Sequence, residues 1–379
     1  MKITDIETIE MKEHPNFFFV VVYTDEGIEG LGQTADPERT IPVVHEFGRM
    51  LIGREAMPEP IWDDLFEAAS FHGYAGAEIR AISAIDIALW DILGQKAGLP
   101  IYALLGGACR DRIWVYNSCS VYREYSDAQR VLDEPVALAE ELLERGMTAM
   151  KIWVLDTDAD QNRGQFITAK AVQQAIEPAR KIDNALGNEM LVAIEGHARW
   201  NLVSAKALVH ALSEFSNILW VEDLIGADHA ENWAALREVA RMPVCGSERL
   251  FTRFQFRRFI ETGATDILMA DITWCGGISE LKKLATLAEV HQIPVAPHDH
   301  SGPVNQIATA HVLANIPNTM ICESTRVFYN TYYANLVEPS IVIEKGHMLR
   351  PEGPGLGTEL KPDVRTRPDA VIRGTTVRA

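Results

Sequence analysis

The sequence predicts an α/β fold, a closed barrel of parallel strands carrying a smaller second domain. Three observations point there. Six short apolar runs each end on a carboxylate or histidine: 191–194 before Glu195, 218–221 before Glu222, 243–247 before Glu248, 267–270 before Asp271, 293–297 before His298 and 320–322 before Glu323. The end residues recur at intervals of 27, 26, 23, 27 and 25 residues, the content of a strand, a helix and two short loops. At 379 residues the chain also exceeds one compact domain, and its patterning changes near Arg112. Eight such βα units close into a barrel whose reactive groups sit where strands end, so a repeated polar residue just past a buried strand marks an active site.

Taken in order, residues 1–35 read as a small antiparallel sheet, with a β run at 17–23, a turn at 24–27 and a returning strand at 28–33. Helices follow around 41–51 and 61–69. Through Ala77–Ala97, Ile82, Ile85, Leu89 and Ile92 keep the three-to-four spacing of an amphipathic helix, and Gly98 and Pro100 end it. From Arg112 strands and helices alternate, with 112–117 the first barrel strand and 149–154 the second. The 44 residues from Lys151 to Glu195 exceed one unit. The surplus falls in the polar stretch 155–170, rich in Asp156, Asp158 and Asp160, ahead of a helix near 167–185. Leu281, Leu284, Ala285 and Ala288 share one face of a helix over 279–290, as an outer-ring helix requires. After Glu323 the alternation stops. Residues 326–379, with PEGPGLG at 351–357, are expected to be irregular and to run back over the first domain. The expected division is 1–111, 112–325 and 326–379.

Composition removes several classes of function. Hydrophobic residues make up 47% of the chain, enough for a large core, and no apolar stretch approaches the roughly 20 residues that span a bilayer. The first residues alternate apolar and polar side chains and carry acids, which reads as a strand and not a signal peptide. The net charge of −18 disfavours nucleic acid, and it disfavours an anionic substrate unless a local cation overrides the field. Five cysteines without a CxxC pair fit reduced, mostly buried thiols in a cytoplasmic protein.

Glu195, Glu222 and Glu248 end three successive strands, so a closed barrel brings them together. Three converging carboxylates repel unless a hard divalent cation binds them, and oxygen-only ligands with room for water and substrate favour one Mg²⁺ ion. A solvated glutamate at a loop start is the ordinary reading of any one; three in register is not. Asp271 and His298 end the next two strands, where the carboxylate can fix the imidazole tautomer and leave the other nitrogen as a general base. His300, two residues on, is a further candidate for metal or substrate, although an ordinary loop histidine explains it as well. His197 shares a strand face with Glu195 and can act as an acid across from His298. Lys151 closes the second strand, where a cation can neutralise a substrate carboxylate.

At these residues the chain resembles the enolase superfamily, in its mandelate racemase/muconate lactonizing enzyme-like subgroup. The resemblance runs along the whole chain through the stretches SAIDIALWD at 83–91, Val221-Glu222-Asp223, Gly246-Ser247-Glu248-Arg249, Asp271 with Gly276-Gly277-Ile278, Ala296-Pro297-His298 and Gly353-Pro354-Gly355-Leu356-Gly357. It implies a modified TIM barrel, (β/α)₇β, under an α+β capping domain built from the N-terminal region and the C-terminal segment. It also implies removal of the proton α to a carboxylate, with the enediolate held by Mg²⁺ on Glu195, Glu222 and Glu248 and with Asp271–His298 as the base. A Lys or His base with Mg²⁺ is the pattern known for these enzymes. Glu323 takes the position of a hydrogen-bond donor to the substrate carboxylate, which requires a protonated side chain.

Departures from the pattern choose the reaction. Mandelate racemase carries Lys-x-Lys on the second strand, and here the second lysine is replaced by Trp153, which cannot take a proton. Glu195-Gly196-His197 resembles instead the third-strand motif of galactonate-dehydratase-type enzymes. In that scheme His298 removes the C2 proton, His197 protonates the departing C3 hydroxyl, and the enol becomes a 2-keto-3-deoxy acid. The expectation is a Mg²⁺-dependent dehydratase of an aldonate-type sugar acid, working as a homo-oligomer without nucleic acid or membrane. An epimerase, racemase or cycloisomerase of the same superfamily is the alternative. A Schiff-base aldolase using Lys151 would leave three glutamates unused, and a non-catalytic sugar-acid binder would leave every reactive group unused. Two capping loops, near 14–18 and 71–76, are implied to select the substrate. His14, Phe18, Phe71, His72 and Tyr74 are its expected contacts. They hold no side-chain cation, which favours a monoacid, whereas Arg199 or Lys151 would favour a diacid.

Overall fold

The computed structural model describes residues 1–375. Its N-terminal part is an antiparallel sheet of β1 (Ile3–Met11), β2 (Phe17–Thr24) and β3 (Glu29–Ala35). Alternation along β2 divides its side chains between two cores. Phe18, Val20 and Val22 pack on α1 (Pro37–Leu51), α2 (Pro58–Ser70) and α3 (Ala77–Ala97), while Phe17, Phe19 and Val21 join the main core. The helices α1 and α2 start before their first apolar residues because Pro37 and Pro58 open them, a position where the missing N–H costs nothing. Gly98 ends α3 in the left-handed region at φ 67°.

The barrel follows. Strands β4 (Arg112–Ser118), β5 (Ala149–Ile152), β6 (Leu191–Glu195), β7 (Ile218–Glu222), β8 (Val244–Gly246) and β9 (Ile267–Leu268) pair in parallel in chain order. Parallel bridges from Leu268 to Val295 and from Val295 to Thr319 hold the seventh position, and β10 (Cys322–Ser324) pairs with β4 to close the ring. Helices follow each of the first seven strands, so the fold is (β/α)₇β. Tyr116, Ala149, Ala193, Trp220, Cys245, Met269, Ala296 and Ile321, one from each strand position, fill the interior. Two large rings among small side chains make it a packed core and not a pore.

The connection from β5 to β6 holds the polar helix α4 (Asp156–Asn162) and then two helices, Ala169–Ala175 and Glu177–Leu186, where the sequence suggested one. Pro178 divides them, because it has no N–H to continue the preceding helix. Between β9 and the mouth of the seventh position runs α5 (Gly277–Val290), and α6 (Pro303–Asn315) precedes β10.

The C-terminal segment does two things, not one. Strands β11 (Ile343–Glu344) and β12 (His347–Leu349) form a hairpin whose second strand pairs antiparallel with Arg112–Trp114 of β4. The strand β10 covers only Val115–Asn117, so the start of β4 would otherwise be an open edge. The last strand, β13 (Ala370–Gly374), joins the capping sheet antiparallel to β1. Residues 376–379 of the expected C-terminal segment lie outside the described residues.

The cap is seated on the barrel by buried polar contacts from α3. Asp86 accepts hydrogen bonds from Ser279 N (3.0 Å) and Ser279 Oγ (2.6 Å), and Ser83 Oγ accepts from Gly276 N (2.9 Å). A side chain on Gly277 would place its Cβ 2.4 Å from Asp86 Oδ2, so glycine is required there. Asp91 accepts from Leu31 N and from Leu356 N of the GPGLG turn, which ties that motif to the cap. All five cysteines are free thiols, and no helix among the described residues is long and apolar enough to cross a membrane.

Candidate active site

Strand geometry delivers the acidic residues to one place. Glu195 and Glu222 are register partners on β6 and β7, and Glu248 follows two residues after β8. One oxygen of each lies within 4.8 Å of the others, and all three side chains are buried. Lys151, from β5, reaches into the same cluster, its Nζ 2.5 Å from Glu222, 2.9 Å from Glu323 and 3.3 Å from Glu195. Burial works against the lysine charge, but Glu222, Glu323 and Glu195 outweigh it and hold its pKa well above the ordinary value. Glu222 is pushed well up, first by burial and then by Glu195, and Glu195 is raised by burial. For Glu248 burial is outweighed by the nearby His298 and Lys151, which lower it. One ammonium thus leaves a surplus of negative charge. Glu195 Oε1 accepts from His197 N at 2.7 Å, whereas its buried Oε2 faces Lys151 Nζ at 3.3 Å without a hydrogen bond. An oxygen-only trio with a carboxylate oxygen that accepts no hydrogen bond fits a hard divalent cation.

The base candidate is built from the next two strand ends, where Asp271 and His298 form a parallel bridge. His298 Nδ1 lies 2.8 Å from Asp271 Oδ2, and Asp271 is itself held by Thr273 N (2.7 Å) and Asn305 Nδ2 (3.1 Å). His298 Nε2 is left facing Glu248 at 3.1 Å. Burial disfavours a charged imidazole here, but Glu248, Glu323 and Asp271 together raise His298 well above its usual pKa. Glu323, expected from sequence to donate a hydrogen bond to the substrate carboxylate, lies within β10 and lines a cavity with His298. Burial is overcome by Lys151 and His298, which lower its pKa, so it accepts hydrogen bonds from Lys151 and from Asp299 N.

A cavity of about 320 Å³ opens above these groups. Lys151, Glu195, His197, Glu248, His298, His300 and Glu323 line it, together with Asn16, Ala35, Trp153, Trp274 and Ser301. His197 Nδ1 lies 2.8 Å from Asp156 Oδ2. His300 stands apart from the carboxylate trio, within hydrogen-bonding distance of Ser120 Oγ (3.2 Å) and against Trp153 and Phe328, and burial lowers its pKa to about 4. A larger cleft of about 850 Å³ lies between the cap and the C-terminal segment at Glu29, Gln95 and Glu359, remote from these groups.

Several expected substrate contacts are not brought to the cavity. Phe18 points into the cap core because strand alternation turns it there, and Asn16 takes the lining position from the same loop. His14 stacks on Tyr332 at 4.4 Å, and burial, then Arg367, lowers its pKa to about 4. Phe71 is 87% exposed, with His72 against it, while Tyr74 packs on Phe66. Arg199 pairs with Asp160 and Asp156. Of the lining residues missed from sequence, which also include Asn16, Ala35 and Trp153, Trp274 and Ser301 lie three residues past Asp271 and His298, where strand-end reasoning stops.

The comparisons with known proteins agree with this geometry. Residues 6–106 match the profile of the mandelate racemase/muconate lactonizing enzyme N-terminal domain, and residues 134–364 match the enolase C-terminal domain-like profile. The chain is 31% identical to a D-galactonate dehydratase of Ralstonia pickettii, covering 95% of this chain and 92% of that one. It is 30% identical to a D-xylonate dehydratase of Haloferax volcanii over 96% and 87% of the two chains. The crystal structure of an enolase of the mandelate racemase subgroup from Agrobacterium tumefaciens superposes with a TM-score of 0.91 at 39% identity, covering 99% of this chain and 98% of that one.

Proposed function

The chain belongs to the mandelate racemase/muconate lactonizing enzyme group of the enolase superfamily, and from that premise we propose that it is a Mg²⁺-dependent dehydratase of an aldonate-type sugar acid. The observation that carries the reading is a pair of imidazoles, His298 and His197, lining one cavity with Glu195 and Glu248 of the three-glutamate cluster. Glu195, Glu222 and Glu248 would hold the ion, which supplies Lewis acidity toward the substrate carboxylate when bound. Asp271 keeps the Nδ1 proton of His298 in place, so Nε2 is the atom that takes the C2 proton. His197 gives a proton to the C3 hydroxyl as it leaves, and Trp153 and Trp274 wall the cavity against bulk water. Lys151, ion-paired with Glu222, Glu323 and Glu195, balances part of the carboxylate charge. The names of the relatives, D-galactonate and D-xylonate dehydratase, support a sugar-acid substrate.

The test is a screen of sugar mono- and diacids with Mg²⁺ for 2-keto acid formation. A 2-keto-3-deoxy product from an aldonate is expected. A C2 epimer without 2-keto acid would instead identify an epimerase, the second reading that two imidazoles allow.

A further inference from the structure

The β5–β6 connection is longer than a βα unit needs, and α4 occupies its first part. The side chain of Asp156, the first residue of α4, meets His197 at 2.8 Å between Oδ2 and Nδ1. The imidazole is constrained from several sides. Its backbone is left-handed at φ 46°, its N–H donates to Glu195 Oε1, and its carbonyl accepts from Arg249 Nη2 at 3.0 Å. The Trp153 ring meets it edge to face at 5.2 Å. Asp156 is ion-paired in turn, because Arg199 Nε lies 3.4 Å from its Oδ1, without a hydrogen bond, while the same guanidinium pairs with Asp160 on the next turn of α4. Among the described residues His197 Nε2 has no hydrogen-bond partner, and His197 lines the cavity.

We propose that Asp156 is a positioning residue for His197, steadied by Arg199, so that the surplus segment supplies a second carboxylate–imidazole pair to the cavity that Asp271–His298 already faces. The inference rests on the dehydratase reading for its chemistry. By accepting the Nδ1–H, Asp156 leaves the transferable proton on Nε2. After His298 has taken the C2 proton, the electron pair left at C2 becomes the C2–C3 double bond while the C3–O bond breaks and its electron pair leaves with oxygen. The Nε2 proton joins that oxygen to make water, the imidazole ends neutral with hydrogen on Nδ1, and Asp156 stays ionised. Arg199, expected from sequence to touch substrate, acts two steps behind it.

Asp156→Asn in the Mg²⁺-loaded enzyme tests this by comparing two rates on one substrate. Formation of 2-keto acid should fall about 10²–10⁴-fold, the span a general acid contributes, while exchange of the C2 proton with deuterium stays near wild type. Asp156→Glu should recover part of the loss. Equal loss of both rates, or loss of neither, overturns the inference. Imidazole ¹⁵N spectra, assigned with His197→Gln, read the pair without turnover. In the neutral imidazole, reached at high pH, hydrogen on Nδ1 is expected in the wild type and its loss in Asp156→Asn; hydrogen on Nε2 of the neutral wild-type imidazole overturns the pairing. Failure of the dehydratase reading shows separately, as a wild-type enzyme that yields no 2-keto acid from any acid in the screen.

Discussion

Lys151 Nζ lies 2.9 Å from Glu323 Oε1, with both side chains at most 2% exposed. The same ammonium also contacts Glu222 and Glu195, so one buried cation is shared by three carboxylates. Breaking a buried ion pair by removing one partner costs about 3–5 kcal/mol, because the other charge stays buried. Lys151→Met should therefore melt well below wild type in chelator. Saturating Mg²⁺ should restore part of the difference by returning positive charge to the cluster. Unchanged melting in chelator would show that the ammonium is not what balances these groups.

That charge state also separates the barrel from Schiff-base aldolases. A lysine that forms an imine must be free and neutral to attack, and the Lys151 ammonium is ion-paired with Glu222, Glu323 and Glu195. Borohydride with a 2-keto acid should leave the mass of the chain unchanged. A trapped adduct at Lys151 would place the lysine in the chemistry itself.

The three glutamates should bind the ion cooperatively with folding. A ligand present at 100 times its Kd stabilises the folded state by about 2.7 kcal/mol, so Mg²⁺ should raise the melting temperature of the wild type. Glu195→Gln, Glu222→Gln and Glu248→Gln should each weaken that rise and abolish turnover. Full activity after exhaustive chelation would remove the ion from the mechanism.

Asp271→Asn keeps the shape of the base pair while removing the charge that fixes the His298 tautomer. Exchange of the C2 proton should fall about 10²–10⁴-fold, the range of general-base catalysis, with substrate affinity little changed. His298→Asn should eliminate exchange. Persistent exchange in that variant would move the base to another residue.

Much of this site is legible in sequence because a barrel strand gives its last residue to the mouth. Glu195, Glu222, Asp271 and His298 needed only the twenty-five-residue period and the order of the strands. Asp156 was visible only as acidity in an over-long connection, since its partner is set by how α4 folds back and not by spacing. Phe18 lies in the loop-to-strand stretch expected at the substrate, but strand alternation starts at Phe17 and turns the next side chain into the cap. The place of Glu323 is legible from strand order, but its ion pair with Lys151, a neighbour 172 positions away in the chain, follows from no local pattern.

Asp86 offers a test of the cap–barrel contact through pH. Burial raises its pKa to about 7, only partly countered by the two hydrogen bonds from Ser279, with Glu59 raising it and Lys283 lowering it further out. The folded state therefore holds this proton more tightly than the unfolded chain, whose value is the ordinary 3.8. The proton's contribution to stability is fully present below that value and is lost as pH rises through about 7. At about 1.36 kcal/mol per pH unit the loss is on the order of 4 kcal/mol. Asp86→Asn keeps an acceptor for Ser279 N and a donor for Ser279 Oγ without ever ionising. Its melting temperature relative to wild type should be level or lower near pH 4 and should climb between pH 5 and pH 8. Asp91, also raised by burial, to about 6, is common to both proteins and cancels in the difference. A difference in melting temperature that stays constant across that range would mean Asp86 is ionised in the folded protein, and that the contact between α3 and α5 carries a charge.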